Sequence, residues 1–308
     1  MDRLVLDVDL AMGTPGSDID DGFALALALA WPDATVDLVT TVNGNTDVDT
    51  ATTLTCALLQ RLGRADLAVH RGAEVPLIRP RTRTGTVPES MAPGRPAAQP
   101  AAAAMVQHVL AHPGEITLVA VGPLTNVALA LRLHPEFGPS LQSLVIMGGA
   151  FDASPNRGDI PGEFNVWSDP EAAHIVLASG VRARWVGLDV TLQVTLSRAE
   201  ALTMQASDQP FASYAGLHTV AWIDHLNADR QHSDDACALH DPLAVAAVLQ
   251  PQLLTWRTAH VVVDLDERNR GVLTTDYTVD DRMANAEVAV AVDVSAAREL
   301  ILTSISAL

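Results

Sequence analysis

Short β-branched runs alternate with longer Ala/Leu-rich segments along this chain. "RLVLDVD" leads into "DGFALALALAW", "TVDLVTTV" into "VDTATTLTCALLQRLG" and "ITLVAVG" into "LTNVALALRLH"; "SLVIMGG", "DPEAAHIVLASG" and "ARWVGLDV" continue the order. Strand-then-helix repetition predicts parallel strands joined by right-handed crossovers, hence a layered α/β sheet. Toward the C-terminus "AHVVVDLD", "GVLTTDYT" and "EVAVAVDV" read as further strands before a closing helix. No internal repeat or domain boundary interrupts the pattern. Residues 1–308 are therefore expected to form one α/β domain with a mainly parallel central β-sheet flanked by helices, a Rossmann-like core. Residues 79–104, "RPRTRTGTVPESMAPGRPAAQPAAAA", depart from the alternation. They read as a surface loop leading into a helix, either an active-site lid or a disordered connection.

In sheets of this kind a ligand lies beyond the carboxyl ends of the strands, so the residues that follow each run matter most. Asp7 and Asp9 end the first, and Asn43, Gly44 and Asn45 follow the second. Gly122 to Asn126 follow "LVAV", and Gly148 and Gly149 follow "LVIM". Small, polar and acidic groups thus converge on one edge. Composition narrows the chemistry. A hydrophobic content of 48% with 4% aromatics implies a core of Ala, Val and Leu that folds without disulfides. The net charge of -18 argues against nucleic acid or an anionic membrane as partner and favours a cation. All 19 basic residues are arginine, which removes Schiff-base chemistry and the P-loop lysine. Cys56 and Cys237 form neither a disulfide framework nor a C-x-x-C pair, and Cys56 lies in a helical run that reads as core. "MDRLVLDVD" enters a strand pattern directly, and there is no apolar stretch long enough to span a bilayer, so a soluble cytoplasmic protein is expected.

Five aspartates fall between Asp7 and Asp21. In a strand Asp7 and Asp9 share a face. "GTPGSDIDDGF" reads as a turn and helix start, with Ser17 or Asp18 as N-cap and Asp20 and Asp21 in the first turn. Complementarity to the helix dipole accounts for the last two, but Asp9 and the convergence stay unexplained. Carboxylates crowded together repel unless a cation compensates, and oxygen-only ligands suit Ca²⁺ or Mg²⁺. An EF-hand is excluded, because "DIDDGFALALAL" has Leu where the closing Glu should stand. An aspartyl phosphotransferase is disfavoured because the chain has no lysine to hold the phosphoryl group.

In order along the chain stand Asp7-Val-Asp9, Asp20-Asp21, "TTVNGN" at 40–45, "VGPLTNVALAL" at 121–131, "VIMGGAF" at 145–151, "GEFNVWSDPEAA" at 162–173, "GLDVT" at 187–191 and "HDPLA" at 240–244. This succession resembles the nucleoside hydrolases of the inosine-uridine preferring type across most of the chain. The resemblance implies a nucleoside hydrolase-like fold and a Ca²⁺ that holds a water and the ribose 2′- and 3′-hydroxyls. It implies Asp9, Asp21, Asp241 and the carbonyl of Thr125 as metal ligands, with Asp7 in support and Asp9 also the general base. Asp20, Asn45 and Asn165 resemble binders of the ribose hydroxyls, Glu163 a contact on the 5′-hydroxyl side and Met147 a neighbour of the sugar. Asn156 matches the remaining pocket asparagine only loosely in spacing.

His240, beside Asp241 in a matching motif, becomes the candidate acid for the leaving base. His70 and His225 have no such context and read as packing or surface residues. Two departures stand out. The H-G-x-x-G segment common in the family is absent from "RTRTGTVPESMAPG", so the contacts to the base are not carried over. "LAMGTPGSDI" replaces the usual short link in the first motif, which should keep Asp20 and Asp21 in place while altering the pocket wall. The expected activity is hydrolysis of a ribonucleoside to free base and ribose. Alternatives are a hydrolase of another N-riboside, such as nicotinamide riboside, and a non-catalytic Ca²⁺-dependent nucleoside binder. Retention of both Asp9 and His240 speaks against the binder. Family resemblance implies a homodimer or homotetramer.

Overall fold

The first strand, β1 (Asp2–Val8), sets the architecture. Leu4, Leu6 and Val8 enter the core on one sheet face, and Val5 enters the core on the other. A strand buried on both faces belongs in the middle of a parallel sheet. β1 accordingly pairs in parallel with β2 (Ala34–Thr41) and β4 (Ile116–Ala120). The structure, a computed structural model, describes residues 2–81, 83–88, 94–155, 157–228, 235–306 and 308.

The other strands of the main sheet are β3 (Val69–Arg71), β5 (Ser143–Met147), β6 (Ala183–Val186), β9 (Leu254–Val263), β10 (Leu273–Asp276) and β11 (Ala286–Val292). The order is β10-β9-β11-β6-β5-β4-β1-β2-β3. Every neighbouring pair from β11 to β3 is parallel, whereas β9 runs antiparallel to both β11 and β10. The sheet is thus mainly parallel with an antiparallel edge. β7 (Thr195–Ser197) and β8 (Ala236–Ala238) form a separate antiparallel pair.

The chain runs outward from β1 through β2 to β3, then returns to β4 and proceeds the opposite way through β5 to β6. A reversal of this kind opens a crevice beyond the carboxyl ends of the two central strands, here β1 and β4.

Helices cover both faces. One core cluster is built from α1 (Asp20–Ala30), α2 (Val48–Arg61), α8 (Leu188–Thr191), α10 (Pro210–Asn227), α11 (His240–Leu249) and α12 (Val294–Ile305). The other is built from α3 (Ala101–Ala111), α4 (Thr125–Leu133), α5 (Phe137–Ser140) and α7 (Pro170–Leu177). Two more helices, α6 (Phe164–Ser168) and α9 (Arg198–Gln205), lie near the crevice and beside α10. α1 is buried from Asp20 through Ala28, as expected of an inner helix that is apolar all round. It packs on α11, α12 and β2, which brings its acidic first turn to the crevice.

Candidate active site

Asp7 is the last residue but one of β1 and Asp9 follows the strand, both without exposed surface. The sheet register sets Thr40 opposite Asp7. The Thr40 hydroxyl donates to Asp7 Oδ1 at 2.6 Å and Asn126 Nδ2 donates to the same oxygen at 2.8 Å. Asn126 also donates to the Thr41 carbonyl and accepts the Ala73 N–H, so it ties α4 to β1 and β2. Burial lifts the Asp7 pKa to about 6 against these two bonds.

Asp9 rises to about 7, chiefly through burial, with the Asn45 N–H opposing and the Asp20 carboxylate adding to the rise. Its Oδ2 accepts the Asn45 N–H at 2.6 Å, and its own N–H donates to Asp21 Oδ1 at 3.0 Å. Oδ1 is buried without a hydrogen-bond partner. Backbone closes tightly around this carboxylate. A Cβ at Gly44 would stand 1.9 Å from Asp9 Oδ2, and one at Gly122 would stand 2.9 Å from Oδ1.

Asp20 and Asp21 open α1, and Asp241 lies in the first turn of α11. The Asp241 N–H donates to Asp20 Oδ2 at 3.0 Å. Oxygens from Asp20, Asp21 and Asp241 all lie within 4.8 Å of one another. Burial and the neighbouring carboxylates push Asp21 and Asp241 well above the usual carboxylate range. Asp20, which the resemblance assigns to the ribose, thus stands in the same carboxylate group as Asp21 and Asp241. An all-oxygen donor set next to an unpartnered Asp9 oxygen fits a hard divalent cation. Thr125 opens α4, and its hydroxyl donates to Asp169 Oδ2 at 2.7 Å.

Glu163 caps α6. Its Oε1 accepts the Asn165 N–H at 2.8 Å, and its Oε2 accepts those of Gly149 and Val166 at 2.9 and 3.1 Å. Burial raises its pKa. Asn165 Nδ2 donates to the Val121 carbonyl at 2.7 Å and reaches the carbonyl of Met147, the last residue of β5. His240 opens α11 with Nδ1 2.7 Å from Thr191 Oγ1, and desolvation pushes its pKa down while Asp20 pulls it up. Asp20, Asn45, Met147, Glu163, Asn165, His240 and Asp241 line one pocket of about 870 Å³. Asn45 joins Asp9 and Asp21 to its wall. Asn156 lies outside the described residues. A concavity of about 840 Å³ at the opposite strand ends, around Asp2, Ser143 and Arg184, holds none of these carboxylates.

Several wall residues escape sequence reasoning. Asp18 does not cap α1: Ile19 holds that position without a side-chain cap, while Asp18 accepts the adjacent Ile19 N–H and faces the pocket. His225, expected to be a packing or surface residue, packs on the pocket wall. It stacks on Trp222 at 5.4 Å and closes over Gly16, whose φ of +71° few other residues adopt. The spacing of Trp222 and His225 on one helix face was a usable signal. Asp189, inside the quoted "GLDVT", accepts the N–H groups of Phe151, Asp152 and Ala153 and so anchors the segment leading to Arg157. His70, by contrast, is buried and bonded to the Gln99 carbonyl, as a packing residue should be.

Residues 4–299 match the family described as inosine-uridine preferring nucleoside hydrolase. The chain belongs to that family. This nucleoside hydrolase is 35% identical over 309 residues to the non-specific ribonucleoside hydrolase RihC of Escherichia fergusonii, covering 94% of each chain. It is 36% identical over 314 residues to the protein of that name from Salmonella schwarzengrund, covering 96% and 95%. Among solved structures, the plant nucleoside hydrolase PpNRh1 superposes with a TM-score of 0.88 at 28% identity, over 100% of this chain and 99% of that one. A purine-preferring ribonucleoside hydrolase from Gardnerella vaginalis superposes at 0.87 with 27% identity, over 99% and 98%. The α/β fold and the ribonucleoside hydrolase class expected from the motifs agree with these matches. No helix among the described residues is long and apolar enough to cross a membrane.

Proposed function

We propose that this nucleoside hydrolase cleaves the N-glycosidic bond of ribonucleosides to free base and ribose in a Ca²⁺-dependent reaction, with Asp9 as general base and His240 as acid. The observation that carries the reading is the buried, unpartnered Oδ1 of Asp9, on a carboxyl group that interacts electrostatically with the clustered Asp20, Asp21 and Asp241. Asp9, Asp21, Asp241 and the Thr125 carbonyl would hold the cation, and Asp7 would support Asp9. When bound, the cation supplies positive charge that anchors hydroxyl oxygens and makes a nearby water more acidic.

The chain's own groups do the rest. Asp9 accepts the proton of the attacking water, and a carboxylate in a dry cradle is a stronger base than one in bulk water. Asp20, Asn45 and Asn165 hold the ribose hydroxyls while Met147 packs against the sugar. Glu163 Oε1, which accepts one backbone N–H, has a lone pair left for the 5′-hydroxyl. The carboxylates surround the oxocarbenium-like sugar with negative potential, and His240 donates a proton to the departing base while Thr191 holds its Nδ1.

The test is release of base or ribose from inosine, adenosine, guanosine, uridine and cytidine, with and without chelator. Turnover that stops on cation removal and returns with Ca²⁺ is expected. Undiminished turnover after complete removal would rule out the metal reading, and release from none of the substrates would rule out hydrolysis. His240→Ala should lose most on natural nucleosides and least on 4-nitrophenyl riboside, whose leaving group needs no proton.

A further inference from the structure

Arg83 lines the pocket from the connection between β3 and α3. Among the described residues it has no carboxylate partner, whereas Arg157 on the same wall is paired with Asp159. An arginine without such a carboxylate partner, in a pocket rich in carboxylates, has donors to spare. Its guanidinium carbon sits 4.3 Å from the centre of the Phe164 ring, and stacking of this kind fixes the plane of the fork. Nη1 lies 3.5 Å from Asn45 Oδ1, too long for a strong bond. Among the described residues, most of its five N–H donors are unspent. The segment that carries it is held in place. The Gly85 N–H donates to Asp47 Oδ2 at 3.0 Å, and the Thr14 hydroxyl donates to the Thr86 carbonyl at 3.2 Å.

The position of the fork follows from Asn45. The backbone of that residue bonds Asp9 and its side chain reaches Asp21. If Asp9 activates the water that attacks the anomeric carbon, a guanidinium beside Asn45 stands at the anomeric end of the ribose, where the base departs. Resting on that reading, we propose that Arg83 recognises the nucleobase, donating paired N–H bonds to O6 and N7 of a 6-oxopurine and thereby favouring inosine and guanosine over adenosine. A guanidinium only donates. The O6/N7 edge offers two acceptors, whereas adenosine presents an amino donor beside N7 and loses one bond.

The same charge assists bond breaking. As the C1′–N9 bond breaks, its electron pair moves onto the base and toward O6 and N7, next to Arg83. The water's oxygen bonds to C1′ and its proton passes to Asp9. The base takes its own proton from His240 at a ring nitrogen other than N7.

The test compares kcat/KM of the full chain with Ca²⁺, as wild type, Arg83→Met and Arg83→Lys. The substrates are inosine, adenosine, inosine 5′-monophosphate and 4-nitrophenyl riboside. Wild type should prefer inosine over adenosine by roughly 10- to 100-fold. Arg83→Met should bring that ratio to within about 3-fold of unity by losing activity on inosine, with a much smaller loss on 4-nitrophenyl riboside. Arg83→Lys, which keeps the charge and loses the fork, should recover only part of the ratio. Equal losses on every substrate would overturn the proposal in favour of a structural strap. Selective loss on inosine 5′-monophosphate, with the inosine to adenosine ratio unchanged, would overturn it in favour of a phosphate anchor. Absence of release by wild type, 4-nitrophenyl riboside included, would instead remove the hydrolase reading before any Arg83 variant is compared.

Discussion

A carboxylate with no exposed surface and one unpartnered oxygen is costly to keep, and Asp9 is kept so by the shape of its surroundings. Asp9→Asn preserves that shape and removes the proposed base. It should lower kcat by about 10²- to 10⁴-fold, and steady-state kinetics check this, with a thermal melt to show that the variant is folded. Gly44→Ala probes the cradle, since its methyl group would overlap Asp9 Oδ2. It should cost at least about 10-fold in activity even though the substituted residue bears no functional group; wild-type turnover would contradict the close fit. At this scale the carboxylates were legible because charge within an apolar run is hard to explain otherwise. Asn126 and Thr40 were not, although both sit in quoted motifs, because their partners come from other strands and only the register brings them to Asp7.

Among elements, the alternation of strand and helix was readable because each segment follows its own period. The antiparallel pairing of β9 with β10 and β11 was not, since a strand's apolar pattern does not state the direction of its neighbour. Pocket walls were the least readable part, because Arg83, Asp18 and His225 reach the same pocket from segments far apart in the chain. Asp189 supplies a prediction here. Three consecutive N–H groups converge on its carboxylate, and the segment they begin continues to Arg157, Gly158 and Asp159 of the pocket. Asp189→Ala should raise KM for ribonucleosides about 3- to 10-fold with a smaller change in kcat, because it loosens binding and leaves the reacting groups in place. A fall in kcat at constant KM would contradict that account.

For the whole molecule, the acidic cluster ties stability to pH and to cations. Asp7 and Asp9 rise from 3.8 to about 6 and about 7, and Asp21 and Asp241 also rise. The native cation-free protein therefore binds more protons than the unfolded chain between about pH 4 and 7. By linkage the stabilisation is fully present below the unfolded value and is lost as pH rises through the folded one. Melting in chelator should fall by several degrees from pH 5 to 7.5. If the ionised cluster holds Ca²⁺ as proposed, adding it should reduce or abolish that fall. A chelated protein whose melting temperature climbs over the same interval would contradict the assignment. Carboxylates held low by arginine, such as Asp49 and Asp159, titrate below this window and do not mask it.

The bond from the Thr14 hydroxyl to the Thr86 carbonyl joins the segment inserted after Asp9 to the one that carries Arg83. The two lie far apart in the chain yet lean on each other at the rim of the pocket. Transplanting either one alone into a relative would leave the Thr14 hydroxyl or the Thr86 carbonyl without this mate, so a redesign of this part of the wall is best made by moving both together.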